Sequence, residues 1–464
     1  MPEFGKPRLG VLALMLEAYE SIFPGITSRQ EAFARSALRP MEGAVEFRFP
    51  RAALNRQDIE DIAEGFNRDK LDGILILLLT YSQGQYLVRA MQHNRLPLAL
   101  ALVQPDETAG EGFEELDLTV NQGIHGSQDN ANCLMRAGIR CSYFAGSRQD
   151  GSFGRFVTDF AMAAQAATAL KSMKIGVVGR LAGMGDLIGD DMAFFRAVGP
   201  ELRLDSIGSV HACVESVTER EIAQRVALDR TRFDMDPKLS AESHGYAVKL
   251  YLGIKKYLEQ GGYAGYSIHF EEFGADRRFR QLPLLAASHL MAEGYGYAAE
   301  GDGVTAALVA AAMRLCGSAN FSEMYMMDFK RGAILFSHAG EGNWAMCRSG
   351  AKPRLIDRFL GEGGLENPPT PIFTPEPGPA TVAALAHLGG DRYRMIVAAG
   401  EMLPDALSRC EMPHFFFAPA SGVQSCVTSW LRLGGPHHEA VLLGDQRSRL
   451  KLFCEITGIE YAEA

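Results

Sequence analysis

This chain of 464 residues predicts an α/β fold class: two Rossmann-like doubly wound domains followed by a β-rich, barrel-like C-terminal domain. Three observations carry that prediction. Continuous apolar strands alternate with helical segments through the first third, the same alternation restarts at "KIGVVG" (174–179), and beyond residue 318 strands, turns and prolines take over. Unbroken apolar strands separated by helices mean parallel sheets covered on both faces. Strands that then run together mean a separate β layer.

The elements follow in order. "RLGVLALML" reads as a buried strand, "RQDIEDIAEGFN" as an amphipathic helix and "LDGILILLL" as a second buried strand. "GQYLVRAMQHN" is helix and "LPLALALV" strand again. "LTVNQGIHGSQDN" (118–130) reads as a strand followed by an Asn/Gly turn, and "FGRFVTDFAMAAQAATALKSM" as one long helix. The first domain is therefore expected over residues 1–172. The second, 173–317, continues with "DDMAFFRAV" as helix, "LRLDSIG" as strand, and "HGYAVKLYLGIKKYLEQGG" and "LPLLAASHLMAEG" as helices. The third, 318–464, has strands at "GAILFSHAGEGNWAM" and "RYRMIVAAG", a Pro-rich connection at "ENPPTPIFTPEPGPA" and an amphipathic helix at "RSRLKLFCEITGI".

Composition is ordinary for a globular protein, 47% hydrophobic and 22% charged, with a formal net charge of −10. That balance argues against a large nucleic-acid or anionic-membrane surface. The longest apolar run, "GILILLL", is far too short to span a bilayer, and "GVLALML" runs at once into Glu17 rather than into a cleavage site. The eight cysteines are scattered with no C-x-x-C pair, as expected of reduced thiols in a soluble cytoplasmic protein.

Five segments could carry chemistry. In "AEGDGVTAALVAAAM" (299–313) Asp302 is placed to cap the Ala-rich helix, whereas Glu300 has no such role and follows a semi-apolar stretch. "ANFSEMYMMDF" sets Glu323 and Asp328 in an apolar surround. "LFSHAGEGN" puts His338 at the end of a strand, and "GGPHHEA" holds the pair His437 and His438, which on a strand would face opposite ways. Asn121, Gln122 and His125 stand where an open α/β sheet presents ligand-binding groups. Two carboxylates and two imidazoles without thiolate suit Mn²⁺, or Mg²⁺ or Co²⁺, with positions left open for substrate oxygens. A competing reading is a nicotinamide cofactor on the loop of Gly179, Gly183 and Gly185 with Asp205 beyond it, although the glycine spacing departs from the dinucleotide fingerprint.

At these residues the chain resembles the L-arabinose isomerase family, within the fucose/arabinose isomerase-like group. "LTVNQGIHG", "RQLPLLAASHLMAEGYGYAAEGDGVTAA", "FSEMYMMDF", "FSHAGEGN" and "GGPHH" occur in the family's order and at about its spacing. The resemblance implies an aldose–ketose isomerase acting on an open-chain pentose or related sugar through a cis-enediolate. It implies Glu300, Glu323, His338 and His438 as metal ligands, with the two glutamates as acid–base groups. It also implies His125, Gln122, Met184, Phe270 and His437 as substrate contacts, with Glu17 in the N-terminal substrate loop. Further implied is a trimer-based, usually hexameric, homo-oligomer whose active sites lie between subunits, His125 coming from a neighbouring chain. Three departures stand out: "LMLEAYESIFPG" (14–25) with Glu17 and Glu20, the arginines 277, 278 and 280, and Gly303 in place of an aromatic. They point to an altered sugar tail, with a modified or acidic sugar able to use the extra arginines. The alternatives are a non-catalytic sugar-binding protein of the same fold and an NAD-dependent oxidoreductase.

Overall fold

The computed structural model describes residues 4–187, 189–361 and 364–464. They form two compact units. One comprises residues 4–168 with 448–458, and the other residues 169–447 with 459–464.

The first unit is built on a parallel sheet of β1 (Arg8–Leu14), β2 (Glu46–Arg48), β3 (Gly73–Leu78), β4 (Leu98–Leu102) and β5 (Ser142–Ala145), in the order β2-β1-β3-β4-β5. Every residue of β3 is buried, as a strand covered on both faces requires. The helix Arg56–Arg68 starts where the Asn55 side chain accepts the Asp58 N–H, and it buries Ile59, Ile62, Ala63 and Phe66. Phe66 lies over β1 so closely that a Cβ on Gly10 would stand 2.4 Å from its ring, so the strand carries glycine there.

The segment expected as strand and turn at 118–130 is instead two helices, Glu115–Asn121 and Gly123–Arg136. A reciprocal capping box between Glu114 and Asp117 starts the first. Asn121 is spent on Asp106 and on the Asp117 carbonyl. Gln122 caps the junction and His125 lies exposed on the second helix.

The second unit contains a parallel sheet, a small mixed sheet and a barrel. The parallel sheet joins β6 (Lys174–Val178), β7 (Glu201–Leu204), β9 (Gly265–Ile268) and β10 (Gly296–Tyr297) in the order β10-β9-β6-β7; β8 (Asp234–Met235) lies apart. The barrel uses β11 (Asn320–Asp328), β12 (Ala333–Ser337), β15 (Gly378–His387), β16 (Tyr393–Met402), β17 (His414–Pro419) and β18 (Glu439–Leu443), and pairing of β15 with β16 closes it. The strand β19 (Glu460–Glu463) adds to β16. Within the Pro-rich segment read as a connection, β14 (Pro369–Ile372) forms the edge of a sheet with β13 (Arg354–Asp357) and β8. An edge is the one place where prolines cost the ladder little.

Inside the barrel Phe336, Val382, Ile396, Phe417 and Val441 form the core with Trp430. The Ala-rich helix Gly303–Cys316 is buried on nearly every face because it packs against β9 and β10 on one side and β15 and β18 on the other. Small side chains let both sheets approach it, so its N-terminus is held where sheet and barrel meet. Among the described residues no helix is long and apolar enough to cross a membrane.

Candidate active site

Three neighbouring barrel strands and one turn build the site. Glu323 lies within β11, opposite Ser337 of β12, while Ser322 lies opposite Glu439 of β18. His338 directly follows Ser337 and His438 directly precedes Glu439, so the antiparallel register sets the two imidazoles on either side of Glu323. His338 Nε2 is 3.3 Å and His438 Nε2 3.2 Å from the same oxygen, Glu323 Oε1. Phe321, two residues back on the same face, supports both rings at 4.9 Å.

Glu300 enters from the turn before the Gly303–Cys316 helix, with Oε2 3.4 Å from His438 Nε2. Its backbone is left-handed, φ 65°, which costs a residue with a side chain about 1–2 kcal/mol. The turn is pinned: the Leu181 N–H donates to the Glu300 carbonyl, and the Gly301 N–H to Ser267 Oγ. Gly301 follows at φ 86°, and a Cβ there would come 2.3 Å from the Gly179 carbonyl oxygen. The glycines around Glu300 let chain pack on chain. A Cβ on Gly303 would already crowd Leu202 and Val177 at 2.9 Å. Gly301→Ala is expected to lower stability by about 2 kcal/mol or more, read as a depressed melting temperature.

Each histidine has its other nitrogen held by a carboxylate. His438 Nδ1 is 3.0 Å from Asp302 Oδ2, while Asp302 Oδ1 accepts the Thr305 N–H. Asp302 is thus helix cap and imidazole anchor at once. His338 Nδ1 is 2.6 Å from Glu341 Oε2, and Tyr297 donates its hydroxyl to Glu341 Oε1. His437 Nδ1 is 2.7 Å from Asp186 Oδ2. Trp344, just past Glu341, anchors that segment by donating its indole N–H to the buried His289.

The electrostatics follow from this packing without a cation. Burial opposes the charge on Glu323, but the imidazoles of His338 and His438 set against it outweigh that cost and hold the carboxyl at about 2. Burial disfavours charge on His338 too, yet Glu341 and Glu323 outweigh it and raise the imidazole to about 9. His438 is raised well above its usual range against burial by Asp302, Glu300 and Glu323.

Two buried atoms at the centre, Glu300 Oε2 and His438 Nε2, make no hydrogen bond. A buried carboxylate oxygen and an imidazole nitrogen left facing each other suit a shared cation. The four residues Glu300, Glu323, His437 and His438 offer one donor atom each within 4.8 Å of one another. The adjacent histidines, expected to face apart, both reach this group because they precede β18 rather than lie in it; their rings are 4.5 Å apart. His338 stands against Glu323 from the other side.

The remaining expected residues divide. Phe270 lines a cavity with Tyr297, Glu300, His338 and Glu341, and Met184 lines a second one with Glu300 and Asp302. Glu17, exposed before the helix Ala18–Ile22, belongs with Gln122 and His125 to the first compact unit. Asp328 caps a local turn, accepting from Arg331 and the Lys330 N–H. Arg278 is paired with Asp276, and Arg280 with Glu242 and Glu366. After β6 the next helix opens only at Asp191, capped by Asp190, and Asp205 accepts the Tyr257 and Tyr263 hydroxyls. Neither has the arrangement of a dinucleotide turn.

Residues 186–318 match the L-arabinose isomerase central domain and residues 318–460 the L-arabinose isomerase C-terminal domain. The L-arabinose isomerase of Clostridium beijerinckii is 27% identical over 424 residues, covering 89% of this chain and 85% of that protein. That of Nocardioides sp. is 28% identical, covering 84% and 80%, and L-arabinose isomerase 1 of Bacillus licheniformis is 25% identical, covering 96% and 94%. Fold and relatives define an aldose–ketose isomerase. Within that class the chain belongs to the L-arabinose isomerase family.

Proposed function

We propose that the protein isomerises an open-chain pentose or related sugar, L-arabinose-like, with a divalent cation held by Glu300, Glu323, His338 and His438. The observation that carries this is the buried pair Glu300 Oε2 and His438 Nε2, which lack hydrogen bonds although the carboxylate-held imidazoles around them are fixed in place. His338 is taken as the fourth donor because its ring is buried against buried Glu341; His437, tied to half-exposed Asp186, is assigned to the substrate.

A cation bound here supplies Lewis-acid charge next to the sugar carbonyl. The chain does the rest. A carboxylate of Glu300 or Glu323 would take the proton from C2 and return it to C1, while the other would pass the hydroxyl proton from O2 to O1, through a cis-enediolate. Phe270 and Met184 shape the space beside Glu300. His125 and Gln122 are assigned to a site completed between subunits of a trimer-based, hexameric assembly. The metal is proposed as Mn²⁺, with Mg²⁺ and Co²⁺ as alternatives, in a cytoplasmic enzyme. The division 1–172, 173–317 and 318–464 is retained as the proposed domain plan.

The test is a sugar panel assayed with Mn²⁺ and with EDTA: turnover with the metal and its loss with chelator are expected, and metal-independent turnover overturns the assignment. A pH dependence follows. Metal-free His338 keeps its proton up to about 9, so below that pH an incoming cation must displace it. His438, raised well above its usual range, must give up its proton as well, so apparent Mn²⁺ affinity should rise with pH by about tenfold per unit or more and level off only once both imidazoles are neutral. Calorimetric titrations at several pH values read this directly, and an affinity flat with pH contradicts it.

A further inference from the structure

We infer that the substrate carries an anionic group at the end remote from its carbonyl, and that Arg358 is the specificity-determining residue that recognises it; this rests on the isomerase reading above. Arg358 follows β13 and is 7% exposed, yet among the described residues it makes no hydrogen bond and no ion pair, and its Nη1 is fully enclosed. A guanidinium is a fork of five donors that stays charged, and a buried one without a partner is among the costliest groups a fold can hold. Such a group calls for an anion that the chain itself does not provide.

Its position says where that anion belongs. Nη1 lies 3.0 Å from the point a Cβ on Gly340 would occupy, beside the Leu284 side chain. Leu284, Ala339 and Glu341 line the cavity that reaches Glu300 and His338, as does Leu360, two residues after the arginine. Gly340, between the lining residues Ala339 and Glu341, carries no side chain where the guanidinium comes up beside Leu284. Glu341 and, more weakly, Glu411 are the acids whose fields favour the charge, but neither bonds the guanidinium, and the two oxygens of Glu341 are taken by His338 and Tyr297. A second orphan donor lines the same cavity: the Tyr266 hydroxyl is buried and unpartnered, with its ring 5.3 Å from that of Tyr297. Metal-ligand carboxylates, with an unpartnered phenol on the same cavity and a guanidinium beside its wall, fit a sugar whose tail is a carboxylate or a phosphate. The arginines 278 and 280 do not fill this role, since each is already paired with acids.

The experiment uses the full chain with Mn²⁺ and compares, for each configuration at C2 to C4, the neutral aldohexose, its uronate and its 6-phosphate. A kcat/KM at least about 100-fold higher for one anionic member than for its neutral partner is expected. Arg358→Gln should remove that preference while leaving the neutral sugar's rate within about threefold. Whether uronate or phosphate gains identifies the anion. Should R358Q not fold, R358K keeps the charge without the planar fork and should lose most of the preference. Equal or better turnover of neutral sugars, or a preference that survives R358Q or R358K, overturns the inference. Calorimetric binding of the same compounds separates the two readings. If no sugar is isomerised, the isomerase assignment fails, while uronate or phosphate binding that disappears in the Arg358 variants still supports anion recognition, and its absence overturns it.

Discussion

Glu300→Gln and Glu323→Gln should each lower kcat by about 10²–10⁴-fold while leaving the fold intact, because each removes a proton carrier and a charged cation ligand together. The amide is isosteric, and neither carboxylate spans elements by a pairing the fold depends on: Glu323 touches two histidines and Glu300 one. Far-UV dichroism and melting temperature should match the parent in EDTA, whereas stabilisation by Mn²⁺ should shrink. Glu300 offers a sharper version. It is a side-chain-bearing residue at φ 65°, one of three such positions among the described residues. Glu300→Gly should therefore stabilise the metal-free protein by about 0.5–1 kcal/mol and abolish turnover. A gain in stability paired with a loss of activity would show that the chain bears this strain for the carboxylate. Near-normal turnover in either glutamine variant would sink the assignment.

The sequence exposed the parts of this site that break a local rule. Glu300 and Glu323 stand out as acids in apolar surroundings, and the strands and helices around them follow from apolar periodicity of two kinds. What it concealed are residues obeying a local rule while serving a distant partner. Asp302 satisfies the helix N-terminus, which is reason enough for an Asp there, and its second oxygen reaches His438, 136 positions away. Glu341 sits in "GEGN", which reads as a turn, and Tyr297 forms part of an apolar run; only the folded chain joins them to His338. Gln122 and His125 lie at a helix junction and on a second helix although "NQGIHG" has the composition of a turn: the first helix, started by Glu114 and Asp117, runs to Asn121, and the second takes up at Gly123. The arginines 278 and 280 look available only until Asp276, Glu242 and Glu366 are brought to them. Arg358 shows the reverse: nothing in "LIDRFL" marks its charge as unpaired, because burial and the distance to partners are tertiary facts.

Asp302→Asn separates the two roles of that carboxylate. Asparagine caps helices about as well as aspartate, so the Thr305 N–H remains satisfied and the Gly303–Cys316 helix should keep its stability to within about 0.5 kcal/mol. The charge opposite His438 Nδ1 is lost, and the amide can present its NH₂ to that nitrogen, favouring the wrong tautomer. Mn²⁺ affinity is therefore expected to fall about 10–100-fold, with turnover recovering as metal is raised. Asp302→Ala should add the loss of the cap, about 1 kcal/mol, to the same metal defect. Glu341→Gln should reproduce the metal defect from the His338 side without touching any helix cap, since Glu341 binds His338 and Tyr297. Metal titrations read alongside melting curves in EDTA distinguish these cases. If Asp302→Asn keeps full Mn²⁺ affinity while Asp302→Ala loses stability, then Asp302 is a cap alone, and the geometry at His438 is set by the register of β11 and β18 rather than by its carboxylate.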